Sequence, residues 1–287
     1  MNAVTPEQIT RSALASFAGA PDGRTRELSN ALIRHLHAFV TEVDPTPAEW
    51  MGAIEFLTRV GHTCQGARQE FILLSDVLGV SMLVDTLQQT EEDGVTESTV
   101  LGPFYVEEPP IAEQGSRITD SDDGIPLWVD IEVTDSAGKP LEGAIVDIWE
   151  GGPDGLYDVQ RDLPEGEYDL RGRFRTDADG RVRCWAVVPV SYQVPADGPV
   201  GDLLAKTGRH PWRPGHVHFK LAADGFVPLV THLFPSGDPY LTSDAVFGVK
   251  PSLIIELDEH DPGEGPAGRE MNAPWKSLHY TFALSRE

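Results

Sequence analysis

The sequence predicts an α+β protein in which a helical N-terminal segment is followed by an all-β sandwich. From Thr25 to about Gln89, apolar residues recur at the spacing of amphipathic helices. From about Leu101 onward, glycine and proline instead separate short runs rich in β-branched and aromatic residues. A chain of 287 residues has room for about two domains. We therefore expect a helical domain over residues 1–100 and a β-sandwich domain over residues 101–287.

Three helices are predicted in the first segment. The first is TRELSNALIRHLHAFVTEV, whose apolar stripe consists of Leu28, Leu32, Leu36 and Phe39. The second begins at Pro47, where Thr46 is suited to cap the helix and Glu49 to complete a capping box. The third is expected through ARQEFILLSDVLGVSMLVDTLQQ, whose nearly continuous apolar character predicts burial on several sides.

Several short strands are predicted after Leu101, which favours a sandwich or a barrel. The stretch LWVDIEVTDSAGKPLEGAIVDIWE alternates, turns and alternates again. Asp179-Gly180 and Asp224-Gly225 each lie between two alternating arms, a pattern typical of β-hairpins. We therefore expect RFRTDADGRVRCWAVV and HVHFKLAADGFVPLVTHLF each to fold as a hairpin.

The charge balance excludes two classes of partner. The chain has 46 acidic against 22 basic residues, a formal net charge of −24. Such a surface repels nucleic-acid backbones and anionic membranes, so we expect neither as a partner. Only two cysteines occur, no run approaches the length of a membrane span, and the N-terminus lacks the features of a signal peptide. A cytoplasmic location is therefore expected.

A His-x-His pair lies in RPGHVHFK, which is expected to form a strand. Side chains at i and i+2 of a strand project from one face, so His216 and His218 point the same way, together with Lys220. Two imidazoles can bind one metal ion, but two ligands rarely hold a transition metal alone. The pair is equally compatible with an ordinary polar face.

Two tyrosines lie in loops that contain many turn residues. Tyr157 follows the strand AIVDIW in GGPDGLYD, and Tyr192 lies in VVPVSYQVP, where a strand ends against prolines. Each could be a rim aromatic with a hydrogen-bonded hydroxyl. Alternatively, both could bind a metal as phenolates, which are hard oxygen donors suited to ferric iron. Two phenolates with two imidazoles would form an anionic site that stabilises Fe(III).

Five longer motifs follow one another along the chain. They are LGPFY (101–105), DIWEGGPDGLYD (147–158), LRGRFRTDADGRV (170–182), VVPVSYQVP (187–195) and GRHPWRPGHVHF (208–219). Together they resemble the intradiol ring-cleavage dioxygenases, the family of catechol and hydroxyquinol 1,2-dioxygenases. The resemblance covers nearly the whole chain. It implies a non-haem iron enzyme that uses O2 to cleave an aromatic diol between its two hydroxylated carbons.

The resemblance implies one Fe(III) per subunit, held by Tyr157, Tyr192, His216 and His218. Tyr192 matches the axial tyrosine that the substrate displaces, and Arg213 matches the arginine that stabilises the charged substrate adduct. The metal would act as a Lewis acid and a template for the diol. A fixed guanidinium would stabilise the negative charge that develops there. Without the family pattern, Arg213 would be taken for a surface salt-bridge partner.

The identity of the diol is predicted from a departure at one position. Members specific for catechol usually carry a glutamine near the iron, where this chain has His232 in VTHLF. This residue and DPYLTSDAVFGVKPSLI (238–254) resemble the hydroxyquinol branch. The expected substrate is 1,2,4-trihydroxybenzene and the expected product a 3-hydroxy-cis,cis-muconate of the maleylacetate type. Catechol or a chlorocatechol, giving cis,cis-muconates, is the alternative. His232 could orient the substrate or simply cap a strand.

The same resemblance implies which residues line the substrate pocket. They would be Leu73, Asp76, Val100, Leu101, Gly102, Pro103, Val194, Pro195 and Val246. Asp76 is the informative one, because a carboxylate among apolar residues needs a polar partner. The third hydroxyl of hydroxyquinol would supply that partner. Alternatively, Asp76 caps a helix or forms a pair within the helical domain.

The family also implies a second use for the N-terminal helices. In such enzymes they form the dimer contact and help to line an apolar tunnel that can hold a lipid. We therefore expect a homodimer and leave a bound lipid open. Two rival interpretations stand beside this one. They are a non-enzymatic transthyretin-like binding module, suggested by GKPLEGAIVDIW, and an extradiol enzyme with Fe(II), two histidines and one carboxylate.

Overall fold

Helices precede strands along the chain, and the predicted α+β fold class is confirmed. The computed structural model describes residues 4–65, 68–89, 92–164 and 166–287. In these residues five helices precede the first strand: α1 (Pro6–Ser16), α2 (Gly23–Val43), α3 (Pro47–Thr63), α4 (Glu70–Val77) and α5 (Val80–Gln88). A sixth helix, α6 (Pro199–Lys206), lies between two strands; neither α1 nor α6 was predicted. None of the described helices is long and apolar enough to cross a bilayer.

The predicted start of α3 is confirmed. The Glu49 carboxylate accepts a hydrogen bond from the Thr46 backbone N–H at 2.8 Å, and the Glu49 N–H donates to Thr46 Oγ1 at 3.3 Å. These reciprocal bonds satisfy backbone groups that a helix start leaves without partners.

The predicted third helix is instead two helices. α4 ends at Val77 and α5 begins at Val80, and Gly79 between them has a φ of +72°. Glycine adopts this left-handed conformation readily because it has no Cβ. The prediction of burial on several sides is only partly correct for α4, where Leu73, Leu74 and Val77 are buried but Phe71 and Ile72 are exposed. It is wrong for α5, which exposes Val80, Leu83, Val84 and Leu87.

The described chain divides into two compact units, one up to Arg59 and one from Val60 onward. The first unit contains α1, α2 and most of α3. Its helices α1 and α2 bury none of their side chains completely. The predicted apolar stripe of α2 is therefore exposed on this chain, with the side chains of Leu28, Leu32, Leu36 and Phe39 all more than half open to solvent.

The second unit is built on two β-sheets that share one apolar core. Its strands are β1 (Pro126–Asp135), β2 (Ile145–Glu150), β3 (Arg171–Arg175), β4 (Arg181–Val187), β5 (Tyr192–Gln193), β6 (Trp212–Arg213), β7 (Val217–Ala222), β8 (Leu229–Pro235), β9 (Ile254–Ile255), β10 (Asp258–His260), β11 (Gly263–Glu264), β12 (Glu270–Met271) and β13 (Trp275–Leu284). One sheet has the order β10-β13-β1-β4 and the other β3-β2-β7-β8-β9, while β5-β6 and β11-β12 form separate pairs.

One of the two predicted hairpins forms and the other does not. β7 and β8 pair antiparallel on either side of Asp224-Gly225, as predicted. β3 and β4, on either side of Asp179-Gly180, belong to different sheets, so the hairpin prediction is wrong there. A turn signal fixes where the chain reverses but not which strand the next segment pairs with. Here the turn carries the chain from one sheet of the sandwich to the other.

Candidate metal centre

Strand β7 separates a core face from a face that carries histidine. Val217, Phe219 and Leu221 are completely buried in the shared core. Because side chains alternate along a strand, His218 points to the opposite face, and His216 lies directly before the strand. Both imidazoles are buried, and their Nε2 atoms lie 3.1 Å apart. The structure therefore brings the two predicted histidines to one point.

Tyr157 reaches the same point from the loop after β2. Its phenol oxygen lies 2.8 Å from His218 Nε2 and 3.5 Å from His216 Nε2. The next residue, Asp158, accepts a hydrogen bond from Nε of the buried Arg171 at 2.9 Å, and Arg171 also donates to the Phe104 carbonyl at 2.8 Å. The Phe104 ring in turn stacks on Tyr157 at 4.5 Å between centroids. This buried ion pair fixes the loop that presents the phenol.

Tyr192 and Arg213 enter from the short β5-β6 pair, in which they lie directly opposite each other. The Tyr192 ring contacts Tyr157 edge-on at 5.5 Å between centroids and lies 5.6 Å from the His216 ring. Arg213 Nη1 donates to the Tyr192 oxygen at 3.3 Å and lies 3.4 Å from His216 Nε2. Two tyrosines, two histidines and one buried cation thus converge from three separate segments.

Asp238, which the sequence did not single out, joins two of these segments. Its Oδ2 accepts hydrogen bonds from Ser191 Oγ at 2.7 Å and from the Gly215 N–H at 2.8 Å. These donors lie directly before Tyr192 and His216. A Cβ on Gly215 would come within 2.6 Å of the Pro189 carbonyl oxygen, so only glycine fits there. In the sequence, Asp238 looks like any aspartate in a turn.

His232 is a third histidine at the cluster. It lies inside β8 directly opposite His218, not at a strand end, and it is completely buried. Its ring centroid is 4.6 Å from that of His216 and 4.3 Å from that of His218. One nitrogen from each of the three histidines lies within 4.8 Å of the others, an arrangement that can hold a metal ion.

The imidazoles are neutral and hold free lone pairs, as metal ligands must. Burial, reinforced by the nearby Arg213 charge, lowers the pKa of His216 to about 3, and burial lowers the pKa of His218 and His232 well below their ordinary values. His216 Nδ1 lies 2.8 Å from the Pro214 carbonyl. Since that oxygen only accepts, Nδ1 carries the proton and the Nε2 lone pair points at the cluster.

The donor atoms fit a transition-metal ion. Two ligands that are each about 2.1 Å from one ion, with about a right angle between them, are roughly 3 Å apart, close to the observed separation of the Nε2 atoms. Among the described residues, no hydrogen-bond partner of normal geometry is found for His218 Nδ1 or for the two nitrogens of His232. A weaker backbone contact with Val100 raises the pKa of His232 slightly against the effect of burial. Nitrogen and phenol-oxygen donors match a site for iron.

A cavity of about 450 Å³ is lined by the sequence neighbours of the two tyrosines, Leu156 and Gln193, and not by Tyr157 or Tyr192 themselves. Four of the predicted pocket residues line it: Leu73, Pro103, Val194 and Pro195. Phe104, which stacks on Tyr157, lines it as well, together with Leu156, Val159 and Ala196. The rest of its lining is polar or charged: Arg68, Gln69, Glu70, Gln160, Gln193 and Asp197. Its size suits a small aromatic molecule.

The remaining predicted pocket residues, Asp76, Val100, Leu101, Gly102 and Val246, do not line this cavity. A Cβ on Gly102 would be 3.4 Å from a carbon of His218, and the exposed Leu101 lies between Gly102 and Val100. Val246 is buried and donates its N–H to Asp244, the partner of Arg213. Asp76 is buried as well. Burial raises the pKa of its carboxyl group, a hydrogen bond from the Ser81 side chain opposes that rise, and the charges of Arg213 and Asp244 are close enough to affect it. Asp76 therefore has a partner within the helical segment, as the alternative prediction expected.

Comparison with known proteins agrees with this geometry. The family model described as "Dioxygenase" matches residues 100–285, and the model described as "Catechol dioxygenase N terminus" matches residues 22–96. A hydroxyquinol 1,2-dioxygenase from Rhodococcus opacus is 45% identical over 98% of this chain and 94% of its own length.

Two solved structures extend the comparison. A hydroxyquinol 1,2-dioxygenase from Pseudomonas putida DLL-E4 has a TM-score of 0.89 and 44% identity, covering 98% of this chain and 99% of its own. A catechol 1,2-dioxygenase from Pseudomonas arvilla C-1 has a TM-score of 0.85 and 30% identity, covering 97% and 91%. With both family models matched and this likeness along nearly its whole length, the chain belongs to the intradiol ring-cleavage dioxygenase family.

Proposed function

We propose that this chain is an Fe(III)-dependent intradiol dioxygenase that cleaves hydroxyquinol between its two adjacent hydroxylated carbons. Both atoms of O2 enter the product, a 3-hydroxy-cis,cis-muconate. The observation that carries the proposal is the convergence of Tyr157, Tyr192, His216 and His218 beside Arg213. The identity of 44–45% to enzymes named hydroxyquinol 1,2-dioxygenase, against 30% to one named catechol 1,2-dioxygenase, favours the trihydroxylated substrate.

The four side chains would hold one Fe(III) per subunit. When bound, Fe(III) supplies Lewis-acid chemistry that activates the bound diol toward O2. The protein keeps both histidines neutral by burial, so they are ready to bind the metal. Burial raises the pKa of the Tyr157 hydroxyl well above its ordinary value, so metal binding has to remove its proton.

Arg213 supplies the positive charge that the reaction needs. Its Nη1 donates a hydrogen bond to the Tyr192 oxygen at 3.3 Å. We infer that Tyr192 exchanges a proton with the substrate at this oxygen. The same buried guanidinium stabilises negative charge on the substrate without rearranging. We infer that His232, which is completely buried beside His216 and His218, orients the substrate.

The experiment that tests this function is oxygen uptake by the iron-loaded protein with hydroxyquinol, catechol and 4-chlorocatechol in parallel, with product spectra. We expect fastest turnover with hydroxyquinol and a product formed by cleavage between the two hydroxyl-bearing carbons. Faster turnover of catechol would overturn the substrate assignment alone. Absence of O2 consumption with every diol would overturn the enzymatic proposal and favour the binding module.

The extradiol alternative has less support. It requires one carboxylate beside two histidines. In the described part of the chain, the group of histidine, cysteine and carboxylate side chains that could hold a metal consists of His216, His218 and His232, with no carboxylate among them. A product cleaved beside the diol, and not within it, would restore that alternative.

Asp76 is expected to recognise the third hydroxyl of hydroxyquinol. Its carboxyl group is buried, accepts a hydrogen bond from the Ser81 side chain, and is close to the charges of Arg213 and Asp244. In an Asp76→Leu variant, the third hydroxyl of hydroxyquinol would be buried without a hydrogen-bond partner, which raises the free energy of the bound substrate. We therefore expect Asp76→Leu to lower kcat/KM for hydroxyquinol about 10- to 100-fold relative to that for catechol. The catechol rate of the same variant serves as the control for fold and iron content. An unchanged ratio would show that Asp76 has only a structural role.

We also propose that the chain forms a homodimer through its N-terminal helices. The support is the α2 stripe of Leu28, Leu32, Leu36 and Phe39, which one chain leaves exposed. Sedimentation velocity is expected to show a dimer for the natural chain and a shift toward monomer for Leu32→Glu/Leu36→Glu. A natural chain that sediments as a monomer at micromolar concentration would contradict this. A lipid in an apolar tunnel remains part of the same proposal, testable by mass spectrometry of extracted protein.

The functional boundary at residue 100 and a cytoplasmic location are proposals as well. The N-terminal family match ends at residue 96 and the second match begins at residue 100, which supports the boundary. The two cysteines, Cys64 and Cys184, are both free, which suits a reducing compartment. Cell fractionation would check the location, and the separate expression of residues 101–287 would check the boundary.

A further inference from the structure

A buried carboxylate holds the guanidinium of Arg213 on the side away from the tyrosine and histidine side chains. Asp244 Oδ1 accepts a hydrogen bond from Arg213 Nε at 3.0 Å, and Asp244 Oδ2 accepts one from Nη2 at 3.3 Å. The two side chains are only 2% and 4% exposed. This two-point contact fixes the plane of the guanidinium, which a single hydrogen bond would not do.

The contact leaves one nitrogen of Arg213 for the cluster. Nη1 is the atom that donates to the Tyr192 oxygen at 3.3 Å and lies 3.4 Å from His216 Nε2. Because Nε and Nη2 are both committed to Asp244, the direction of Nη1 follows from the position of that carboxylate. The two residues are 31 positions apart in the sequence, so no local preference could create this geometry.

Asp244 is itself held by the backbone next to the pocket. Its Oδ1 accepts from the Val246 N–H at 3.2 Å, and its Oδ2 accepts from the Gly248 N–H at 2.9 Å. A Cβ on Gly248 would lie 2.9 Å from Arg213 Nη2 and 3.1 Å from Asp244 Oδ2. The absence of a side chain at position 248 therefore leaves room for the ion pair.

We propose that Asp244 is a positioning residue that aims Nη1 of Arg213 at the Tyr192 oxygen and at the substrate beside it. Through Val246 the same carboxylate links the direction of the cation to the predicted pocket wall. The inference rests on the proposed function, since Arg213 acts on the substrate only if the chain is a diol dioxygenase.

The charges around Asp244 and Arg213 show why an ionised carboxylate is needed at position 244. Burial alone would raise the pKa of Asp244, but the Arg213 charge holds it below its ordinary value, so the carboxylate is ionised. The pKa of Asp76 also responds to the Arg213 charge. If Asp244 lost its charge, the two-point contact that fixes the guanidinium plane would weaken, and Nη1 would no longer be held at the Tyr192 oxygen. An asparagine at position 244 would also turn an N–H group toward a donor of Arg213.

The test compares the iron-loaded natural chain with Asp244→Asn, Asp244→Glu, Arg213→Gln and the double variant Arg213→Gln/Asp244→Asn. We expect Asp244→Asn to lower kcat per bound iron about 30- to 100-fold while KM changes less than about threefold. Asp244→Glu should recover part of that loss. In the double variant we expect no loss beyond that of Arg213→Gln, since Asp244 acts through Arg213.

A second readout does not depend on turnover. A nitrocatechol that binds without rapid cleavage should shift the phenolate-to-iron absorption band differently in Asp244→Asn and in the natural chain, because the Tyr192 oxygen has lost its Arg213 contact. Asp85→Asn is the matched control. It breaks the part-buried ion pair of Asp85 with Lys250, whose atoms are 2.9 Å apart. The other hydrogen bonds of Lys250 go to Gln89 and to the Ser98 carbonyl, which are not members of the cluster. We expect Asp85→Asn to lower stability and leave kcat and the band unchanged.

Two results would overturn the inference. The first is an Asp244→Asn variant with natural kcat and band. The second is a double variant whose losses multiply, which would mean that Asp244 acts independently of Arg213. These outcomes differ from failure of the proposed function, in which the natural chain itself would not consume O2 with any diol.

Discussion

Replacing Tyr157 by phenylalanine is expected to fade the red-brown colour that phenolate-to-Fe(III) charge transfer should give the iron-loaded protein, and to lower ring cleavage by at least about 1,000-fold. The phenol oxygen lies within 2.8 Å of His218 Nε2 and 3.5 Å of His216 Nε2, so its loss takes one donor out of the centre. The remaining set is less anionic, which weakens the preference for Fe(III). Absorption spectra, iron content and oxygen uptake measure the three consequences.

The control is Tyr168→Phe, which removes a hydroxyl from a partly exposed side chain elsewhere in the same loop region. That variant should keep both colour and activity. The phenylalanine ring at position 157 still fills the place between Phe104 and Tyr192, so the fold is expected to survive. A Tyr157→Phe protein that keeps the full intensity of the natural absorption band and the natural activity would show that this phenol does not bind iron.

Glu150→Gln is expected to remove a pH-dependent loss of stability. Glu150 is buried at the end of β2; its Oε1 accepts from the Val187 N–H at 3.0 Å, and its Oε2 has no partner among the described residues. Burial raises the pKa of its carboxyl group from 4.5 to about 8. Between these two values the folded protein keeps a proton that the unfolded chain has released.

The free energy of unfolding should therefore fall as pH rises through this window, by up to about 1.4 kcal/mol per pH unit from this residue. Glutamine retains the shape and the bond to Val187 but cannot ionise. We expect the variant to be more stable than the natural chain at pH 9 by roughly 4 kcal/mol, and similar to it or slightly less stable at pH 5. Urea denaturation of both proteins across this range measures the difference.

Glu142→Gln, at an exposed position, controls for the change in net charge. Because other groups also titrate over this range, the informative quantity is the difference between the variant and the natural chain at each pH. A difference that stays constant from pH 5 to pH 9 would contradict a raised pKa for Glu150.

Much of the fold follows from signals that are local in the sequence. The Thr46-Glu49 capping box, the α2 stripe and the alternation of β7 each depend on residues within one helix or strand, and each is confirmed. The prediction of a single helix through residues 67–89 is wrong because apolar periodicity does not show the left-handed turn at Gly79. The prediction of a β3-β4 hairpin is wrong because the strand with which each segment pairs depends on the whole sandwich.

For the site, the five ordered motifs predict four metal ligands and Arg213. The structure brings these five side chains together. The supporting groups were missed. Asp238, Asp244 and the Asp158-Arg171 pair are common charged residues in ordinary loops or at strand ends, and nothing in their own neighbourhood marks them. Their importance appears only through distances to residues far away in the chain.

The sequence by itself determined that His216 and His218 project together, since the two-residue period of a strand is a local property. Only the tertiary structure decided that the tyrosine loops meet them and that Asp244 holds Arg213. The physical reason is that a buried charge or a metal donor is stabilised by whatever group folding brings within about 3 Å, and a separation along the chain carries no record of that distance.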